Sequence, residues 1–492
     1  MEREQQLNRQ STTDINTVGT LRSRKKPVFW RLRENERRFI LIAGDITVTL
    51  LALFIALYFW AARDNWLEFN VEFMQVRPQF WYYLMPVLWL ALLSPLYNIR
   101  RASHRLDTFR GIITAAGVGL GIYFVIFFLS PKGILPRFGV AVFILVCFLL
   151  TMGWRFLYIN ILTAPQFLRR VLIVGAGKSG TTMAGIVNRI WPPPFHFAGF
   201  IDDDVSKIGA QIEGKPVYGG CKDLMRVVRD EDISDLVFAI SGEMNPEMFE
   251  NIMMAEEQGI EVTTMPIAYE ELLGRVPIHL LRSDWLLRSF VDQAHAGQLF
   301  EMNKRLMDII GGLIGTSLLI FLSPLIALMI FLDDGSPIIY SQSRLGKNSH
   351  PYKILKFRTM RKDAEKDGKA ILAVENDNRV TRIGKFLRKS HLDELPQFLN
   401  VLKGDMSLVG PRAERPELVN RLQDEVPFYR ARLLVKPGLT GWAQINYGYA
   451  STTEETAVKL EYDLFYIKHR NLLLDLNILL QTVGTVVGLR GQ

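Results

Sequence analysis

Cysteine is nearly absent: Cys147 and Cys221 are the only two in 492 residues, which excludes a disulfide framework and a cysteine-ligated zinc site. Histidine is sparse too. The seven residues show no HxxxH pairing, so an imidazole metal centre has no basis in the sequence. Charge is thin, at 22% of residues against 49% hydrophobic ones with 30 Phe and 9 Trp, and this balance rules out a disordered chain. The net charge of +8 suits phosphates or anionic lipid. Zinc-finger spacing and aromatic RNP-like strings are missing, which speaks against a nucleic-acid partner.

What the chain has in plenty is long apolar runs. Its length suggests about three folding units. In the first third, apolar segments at 39–62, 80–98, 110–130 and 138–162 each approach the ~20 residues that span a bilayer as a helix. Ten Lys/Arg precede the first segment between Arg3 and Arg38, four lie between Arg100 and Arg110, and about two lie in each other connection. The positive-inside rule then puts the basic tail 1–38 in the cytoplasm, and four transmembrane helices over 39–164 return the chain there. The polar tail before the first segment argues against a cleavable signal peptide. Asp45 falls within the first segment; an intramembrane carboxylate raises a functional suspicion, but helix packing is the favoured reading.

From Arg169 the pattern changes. Short β-rich runs, RVLIVG, FAGFID, DLVFAIS and EVTTMP, alternate with helical stretches, as βαβ units require. A Rossmann-like α/β domain is expected over 165–298. Its first strand leads into Gly175-Ala176-Gly177-Lys178-Ser179-Gly180, and Gly175, Gly177 and Gly180 would permit a tight turn and close approach of a diphosphate to a helix N-terminus. Asp202 follows the second strand, where a ribose-binding carboxylate would stand. A glycine-rich turn that binds nothing accounts for the same residues equally well, and Leu172 at the position of the first Walker A glycine excludes a P-loop.

A further apolar run, 306–332, is long enough to cross but carries Ser323-Pro324 past its middle. Proline removes a backbone donor and clashes with the preceding turn, so a kink is expected. A kinked fifth transmembrane helix would tolerate it. A re-entrant helix, entering and leaving on the cytoplasmic face, is preferred because the chemistry downstream is built for phosphates.

Between Arg344 and Lys389 there are fourteen Lys/Arg against five Asp/Glu, an excess that could be a solvated face or touch anionic lipid. Next comes Ser390-His391-Leu392-Asp393-Glu394-Leu395-Pro396-Gln397. Proline is tolerated only in a first helical turn, so a helix is expected to start at about Leu392 or Asp393. The dipole would then favour negative charge on Asp393 and a bound phosphate alike. A bare Asp-Glu pair more often merely caps a helix. Beside a basic cradle, an ionised Asp393 can instead attack phosphorus, with Asp393 and Glu394 also able to hold magnesium.

The stretch from about Lys304 to Gln492 strongly resembles the bacterial polyprenyl-phosphate hexose-1-phosphate transferases. The strings that carry the resemblance are LSPL (322–325), RLG (344–346), KFRTM (356–360), RIGKFLRKSHLDELPQFLNVLKGDMSLVGPR (382–412), PGLTGWAQIN (437–446) and YDLFYIK (462–468). Four transmembrane helices followed by a Rossmann-like module also resemble the large members of that family. The resemblance implies that Asp393 attacks the β-phosphorus of a UDP-sugar, glucose being the first choice of hexose and galactose the second. UMP leaves, and undecaprenyl phosphate then takes the phosphosugar. It further implies magnesium at Asp393 and Glu394, a phosphate contact from Arg388, and an α/β catalytic domain over 299–492 with a re-entrant helix on the cytoplasmic face of the bacterial inner membrane. Arg344, Lys356, Arg358, Arg388 and Arg412 are the candidate phosphate cradle. A homodimer and contact with membrane lipid are also expected, the apolar stretch 471–489 lying in the interface.

Two places depart from the family pattern. The common PRP reads Pro411-Arg412-Ala413, and His391 stands where relatives often have Ser or Thr; it is either a local base or, by preference, a packing or phosphate-facing histidine. A membrane-tethered NAD-dependent dehydratase or epimerase is the rival enzyme, but the Tyr-x-x-x-Lys on a strand-like run, Tyr352 to Lys356, lies outside the glycine-rich domain. A nucleotide-sensing scaffold is the non-enzymatic rival, against which the Asp393-Glu394 pair speaks. All the matched strings lie beyond Gly297, so the chemistry is expected to reside wholly in the C-terminal part.

Overall fold

The structure is a computed structural model. It describes residues 32, 34–63, 68–97, 102–129, 136–162, 168–191, 193–240, 242, 245–280, 297–361, 379–448 and 452–487. Most of the basic tail and the middle of the 344–389 basic run lie outside the described residues. The chain divides into two compact units, one formed by most of the first 169 residues and one running from Arg170 onward.

In the first unit, the apolar segments become helices Glu34–Arg63 (α1), Arg105–Leu129 (α2) and Arg137–Leu162 (α3). The expected span 80–98 is not one helix. Phe80–Leu84 and Ser94–Tyr97 are 3-10 turns around a short α-helix, Met85–Leu92, with Pro86 in its first turn and Pro95 beyond its end. The apolar helical piece Phe80–Leu92 is ~20 Å long at 1.5 Å per residue, too short for a ~30 Å hydrocarbon core. Among the described residues, three helices are long and apolar enough to cross a membrane, Glu36–Arg63, Arg137–Ile161 and Gln298–Asp334.

Asp45 has a packing role. Its carboxylate takes the Arg155 guanidinium at 2.6 Å and 3.3 Å, both side chains being fully buried, while a third Arg155 nitrogen donates to the Leu96 carbonyl. A buried charge between α1 and α3 is tolerated because it is paired and its remaining donor is satisfied.

The second unit opens with a parallel sheet of Arg170–Val174 (β1), His196–Ile201 (β2), Asp235–Phe238 (β3) and Glu261–Thr264 (β4), in the order β2-β1-β3-β4. All four β-rich runs are strands. Helices Lys178–Arg189 (α4) and Met265–Leu273 (α6) pack one face, and Leu224–Asp230 with Pro246–Glu257 (α5) the other. Fully buried parallel strands explain runs such as Val171-Leu172-Ile173-Val174, apolar on both faces.

Beyond residue 297, a 37-residue helix, Gln298–Asp334 (α7), precedes a hairpin of Ile339–Leu345 (β5) and Pro351–Phe357 (β6). Then come Arg382–Lys389 (α8), Gln397–Lys403 (α9), Ser407–Val409 (β7), Pro416–Glu425 (α10), Gly438–Thr440 (β8), Thr453–His469 (α11) and Leu472–Val487 (α12). Pro324 lies inside α7 without ending it.

One stripe of α7, Lys304, Asp308, Gly312, Gly315, Leu319, Ile326 and Ile330, is buried at helical spacing. At Gly312 a Cβ would come within 2.7 Å of Leu402, and at Gly315 it would run into the Phe398 ring, so the small residues set how closely α7 approaches α9. Both ends of α7 are fastened to elements that follow it in the chain. At one end Lys304 donates to Asp475, Tyr466 and the Val409 carbonyl, and Asp308 accepts from Ser407 and the Leu408 amide. At the other, Arg358 holds the Asp334 and Gly335 carbonyls and Asp333 accepts from the Ile383 amide. The opposite face, with Leu313, Ile314, Phe321 and Leu332, is exposed.

Candidate active site

The hairpin supplies the first cations by strand alternation. Tyr340 pairs with Lys356 and Arg344 with Tyr352, so Arg344, Ile354 and Lys356 share one face. They line one cavity with Glu394, Gln397 and Arg412. Asn400 joins this face to α9: its side-chain oxygen accepts from the Leu355 amide and its nitrogen donates to the Lys353 carbonyl. No sequence signal beyond its place in LPQFLN marked Asn400, since its partners lie 45 and 47 residues away.

The acidic pair sits in a tight turn, not at the start of an α-helix. His391 is left-handed, with φ 56°, Leu392–Glu394 is a 3-10 turn, and α9 proper begins at Gln397 with Pro396 at its cap. Pro396 has no amide to give the Leu392 carbonyl, which takes the Leu395 amide at 3.3 Å instead. The 3-10 turn leaves Asp393 8% exposed. Among the described residues nothing donates a hydrogen bond to its carboxylate. Glu394 is dressed by contrast: its Oε1 accepts from Lys356 Nζ at 2.6 Å and from Arg412 at 3.3 Å.

The two carboxylates therefore titrate apart. Burial, and then the negative Glu394 beside it, push Asp393 above the ordinary carboxylate range, against the pull of Lys356, Arg388 and Arg412. Burial opposes ionisation of Glu394 as well, but Lys356 and Arg412 outweigh it and hold this side chain below its usual range. Lys356 thus lowers both groups. Lys356→Met is expected to cut turnover by about 10²-fold through lost charge stabilisation and to move the acid limb of the pH–rate profile to higher pH. An unmoved limb would separate Lys356 from the pair.

The five candidate phosphate ligands do not converge alike. Lys356 and Arg412 touch Glu394, Arg344 lines the same cavity, and Arg388 bonds Thr359 Oγ1 at 3.0 Å while its charge reaches Asp393. Arg358 is employed elsewhere. β6 ends at Phe357, and Arg358 caps the C-terminus of α7 with an added ion pair to Asp334 at 3.1 Å. The departure from PRP leaves Arg412 in place, with a buried Ala413 behind it. Among the described residues the buried His391 Nδ1 has no hydrogen-bond partner. Tyr352 and Lys356, the dehydratase-like spacing, sit on this hairpin, away from the glycine-rich loop.

In the Rossmann-like sheet, Gly175 adopts φ 105°, and a Cβ at Gly180 would meet the Gly175 carbonyl. Both glycines are required by the turn. Asp202 closes on the loop: its Oδ2 accepts from the Ala176 amide at 2.6 Å and from Lys207 at 3.2 Å. The amide that a phosphate would seek already faces a carboxylate.

The bacterial sugar transferase family matches residues 299–488 and the CoA-binding domain family residues 93–266. An Aeromonas hydrophila UDP-N-acetylgalactosamine-undecaprenyl-phosphate N-acetylgalactosaminephosphotransferase is 41% identical over 218 residues, 44% of this chain and 50% of that protein. The Escherichia coli (strain K12) UDP-glucose:undecaprenyl-phosphate glucose-1-phosphate transferase is 42% identical over 185 residues, 37% of this chain and 39% of that protein. The chain thus spans half or less of the length of these two. A Caulobacter vibrioides protein of the latter name is 40% identical over 190 residues, 38% of this chain and 70% of its own length. With that coverage, and with the acidic pair and its cations assembled in the matched region, the chain belongs to the bacterial sugar transferases, the polyprenyl-phosphate hexose-1-phosphate transferase family.

Proposed function

We propose that this protein transfers hexose-1-phosphate from a UDP-sugar to undecaprenyl phosphate, with Asp393 as a covalent nucleophile. The observation that carries the reading is the contrast within the pair: a buried carboxylate to which, among the described residues, nothing donates a hydrogen bond, beside one held by Lys356 and Arg412. An Asp393 oxygen bonds to the β-phosphorus as the bond from that phosphorus to the bridging oxygen breaks, and UMP leaves with the bridging oxygen and its electron pair. A phosphate oxygen of the lipid then attacks the same phosphorus and releases the Asp393 carboxylate. Lys356, Arg412, Arg344 and Arg388 orient the diphosphate and neutralise its charge.

Magnesium fits the donors at hand. Both cations bond Glu394 through Oε1, so its Oε2 and the Asp393 carboxylate remain to hold an ion, and magnesium commonly takes one or two carboxylates plus substrate phosphates. Among the described residues no third acidic or imidazole side chain joins them. Bound there, the ion would neutralise diphosphate oxygens.

The site would work at the cytoplasmic face of the bacterial inner membrane, with α7 re-entrant. Two features support this: both ends of α7 are bonded to one catalytic unit, and its other face is apolar and exposed. A helix that crossed would separate those ends by the bilayer. Single cysteines replacing the exposed Asn303 and Ser336, in a background lacking the buried Cys147 and Cys221, should both label only from the cytoplasmic side. Labelling of the second from outside would make α7 a true span.

Glucose is the first choice of hexose, although the names of the relatives divide between glucose and N-acetylgalactosamine. UMP release from UDP-glucose, UDP-galactose and UDP-N-acetylgalactosamine, with undecaprenyl phosphate present, tests the reading. No UMP from any UDP-sugar would sink it.

A further inference from the structure

Two carboxamides project from α9, and they are used differently. The Asn400 side chain is occupied at both ends by the β6 backbone. Gln397, one turn earlier, is 2% exposed, yet its Nε2 is buried with no hydrogen-bond partner among the described residues. It lines the cavity that Arg344, Lys356, Glu394 and Arg412 share, three cations against one acid. The Nε of Arg344, which also lines it, is a second buried donor without a partner among the described residues. Unmet buried donors cost free energy and are rare in folded proteins. Two of them in one positively charged cavity call for an acceptor brought from outside, and an anionic one.

Resting on the transferase reading, we propose that Gln397 is a substrate-contacting residue whose Nε2–H donates to a diphosphate oxygen of the nucleotide sugar. Its place on the helix explains the reach. Gln397 is the first residue of α9, shortly after the turn that carries Asp393 and Glu394, and it lines the same cavity as Glu394. Arg344 Nε is poised for the same group from the hairpin side. Asn400 beneath them ties α9 to β6, which keeps the two donors in register.

The test uses the full chain in nanodiscs. Gln397→Met keeps the volume and removes the donor, so kcat/KM for UDP-glucose should fall about 10- to 100-fold, the scale of a hydrogen bond to a charged acceptor. The melting temperature of the unliganded protein should be unchanged or higher, because an unmet buried donor has gone. A structural role would give the opposite pattern, a lower melting temperature with kcat/KM within about threefold of the parent, and that result overturns the proposal. Gln397→Glu has nearly the same shape and should lose at least as much, since its carboxylate would face the diphosphate. A second measurement separates this contact from the reaction: UDP-glucose should raise the melting temperature of Asp393→Asn but not of Asp393→Asn with Gln397→Met. If that difference appears while the parent releases no UMP, the transferase reading fails and the contact stands. An equal rise in both overturns the contact.

Discussion

Asp393→Asn is expected to cut UMP release by at least about 10³-fold, the scale on which removal of an enzymatic nucleophile is felt, while the protein melts no lower than the parent. The activity loss follows from the exchange of an attacking carboxylate for an amide of the same shape. The stability follows from the sign of the titration. Burial raises Asp393 in the folded protein, so the protonated form is favoured there, and the stability this contributes is present at low pH. It is lost as pH rises from the ordinary carboxylate range through the raised value. At neutral pH the ionised side chain therefore sits at a cost that asparagine removes, and the thermal advantage of the variant should shrink towards pH 4. Activity within tenfold of the parent would dispose of the covalent role. A sharp drop in melting temperature at neutral pH would instead mean that the carboxylate is structurally paired in a way its bare surroundings contradict.

The parts of this fold that rest on local pattern are legible in the sequence. Val171-Leu172-Ile173-Val174 reads as a buried strand because parallel strands are covered on both faces, and Gly175 marks the turn that follows because its φ is closed to other residues. The acidic pair is legible as chemistry, since two adjacent carboxylates follow a run of cations able to hold phosphate. What escapes is set by contacts distant along the chain. Arg155 reaches Asp45 across 110 residues, and Asn400 reaches β6 across more than 40. Arg358 belongs to a basic string that matches a family of phosphate handlers, yet its guanidinium goes to a helix end 23 and 24 residues earlier. Composition identifies it as a cation but cannot say which oxygens are nearest. The Leu392–Glu394 turn escapes for a subtler reason: Pro396 fixes where a helix may begin, and the chain meets that limit with a 3-10 turn before the α-helix.

A fragment starting at Gly297 should melt about 10 °C or more below the full chain, although it keeps every residue assigned to the reaction. By motif alone the transferase part begins near that point. By packing it begins earlier. Val276 and Ile278, fully or almost fully buried, belong to the same core as Leu460, Leu464 and Ile467 of α11. Burial of each is worth roughly 1.5–3 kcal/mol. The fragment would lose more than this area. Trp442 Nε1 donates to the Gly274 carbonyl at 2.7 Å, and the Val276 amide to the Glu461 carbonyl at 3.0 Å. The buried Glu461 carboxylate is held by Tyr269 at 3.1 Å and Arg275 at 3.4 Å, and Lys468 is bonded to both oxygens of a buried Glu270 at 2.8 Å and 3.0 Å. Cutting before Gly297 removes these partners together with the chain that covers Glu461 and Lys468, so the bonds and the burial are lost at once. Against the roughly 5–15 kcal/mol that typically holds a whole domain folded, the apolar loss alone is large. Val276→Ala in the full chain should show a smaller drop of the same origin. UMP release per folded fragment, measured well below its melting point, should stay near that of the full chain, because Asp393, Glu394, Lys356 and Arg412 all remain. A fragment as heat-stable as the parent would refute the shared core, and a folded fragment that binds UDP-glucose yet releases no UMP would mean that the residues before Gly297 take part in the chemistry as well as the packing.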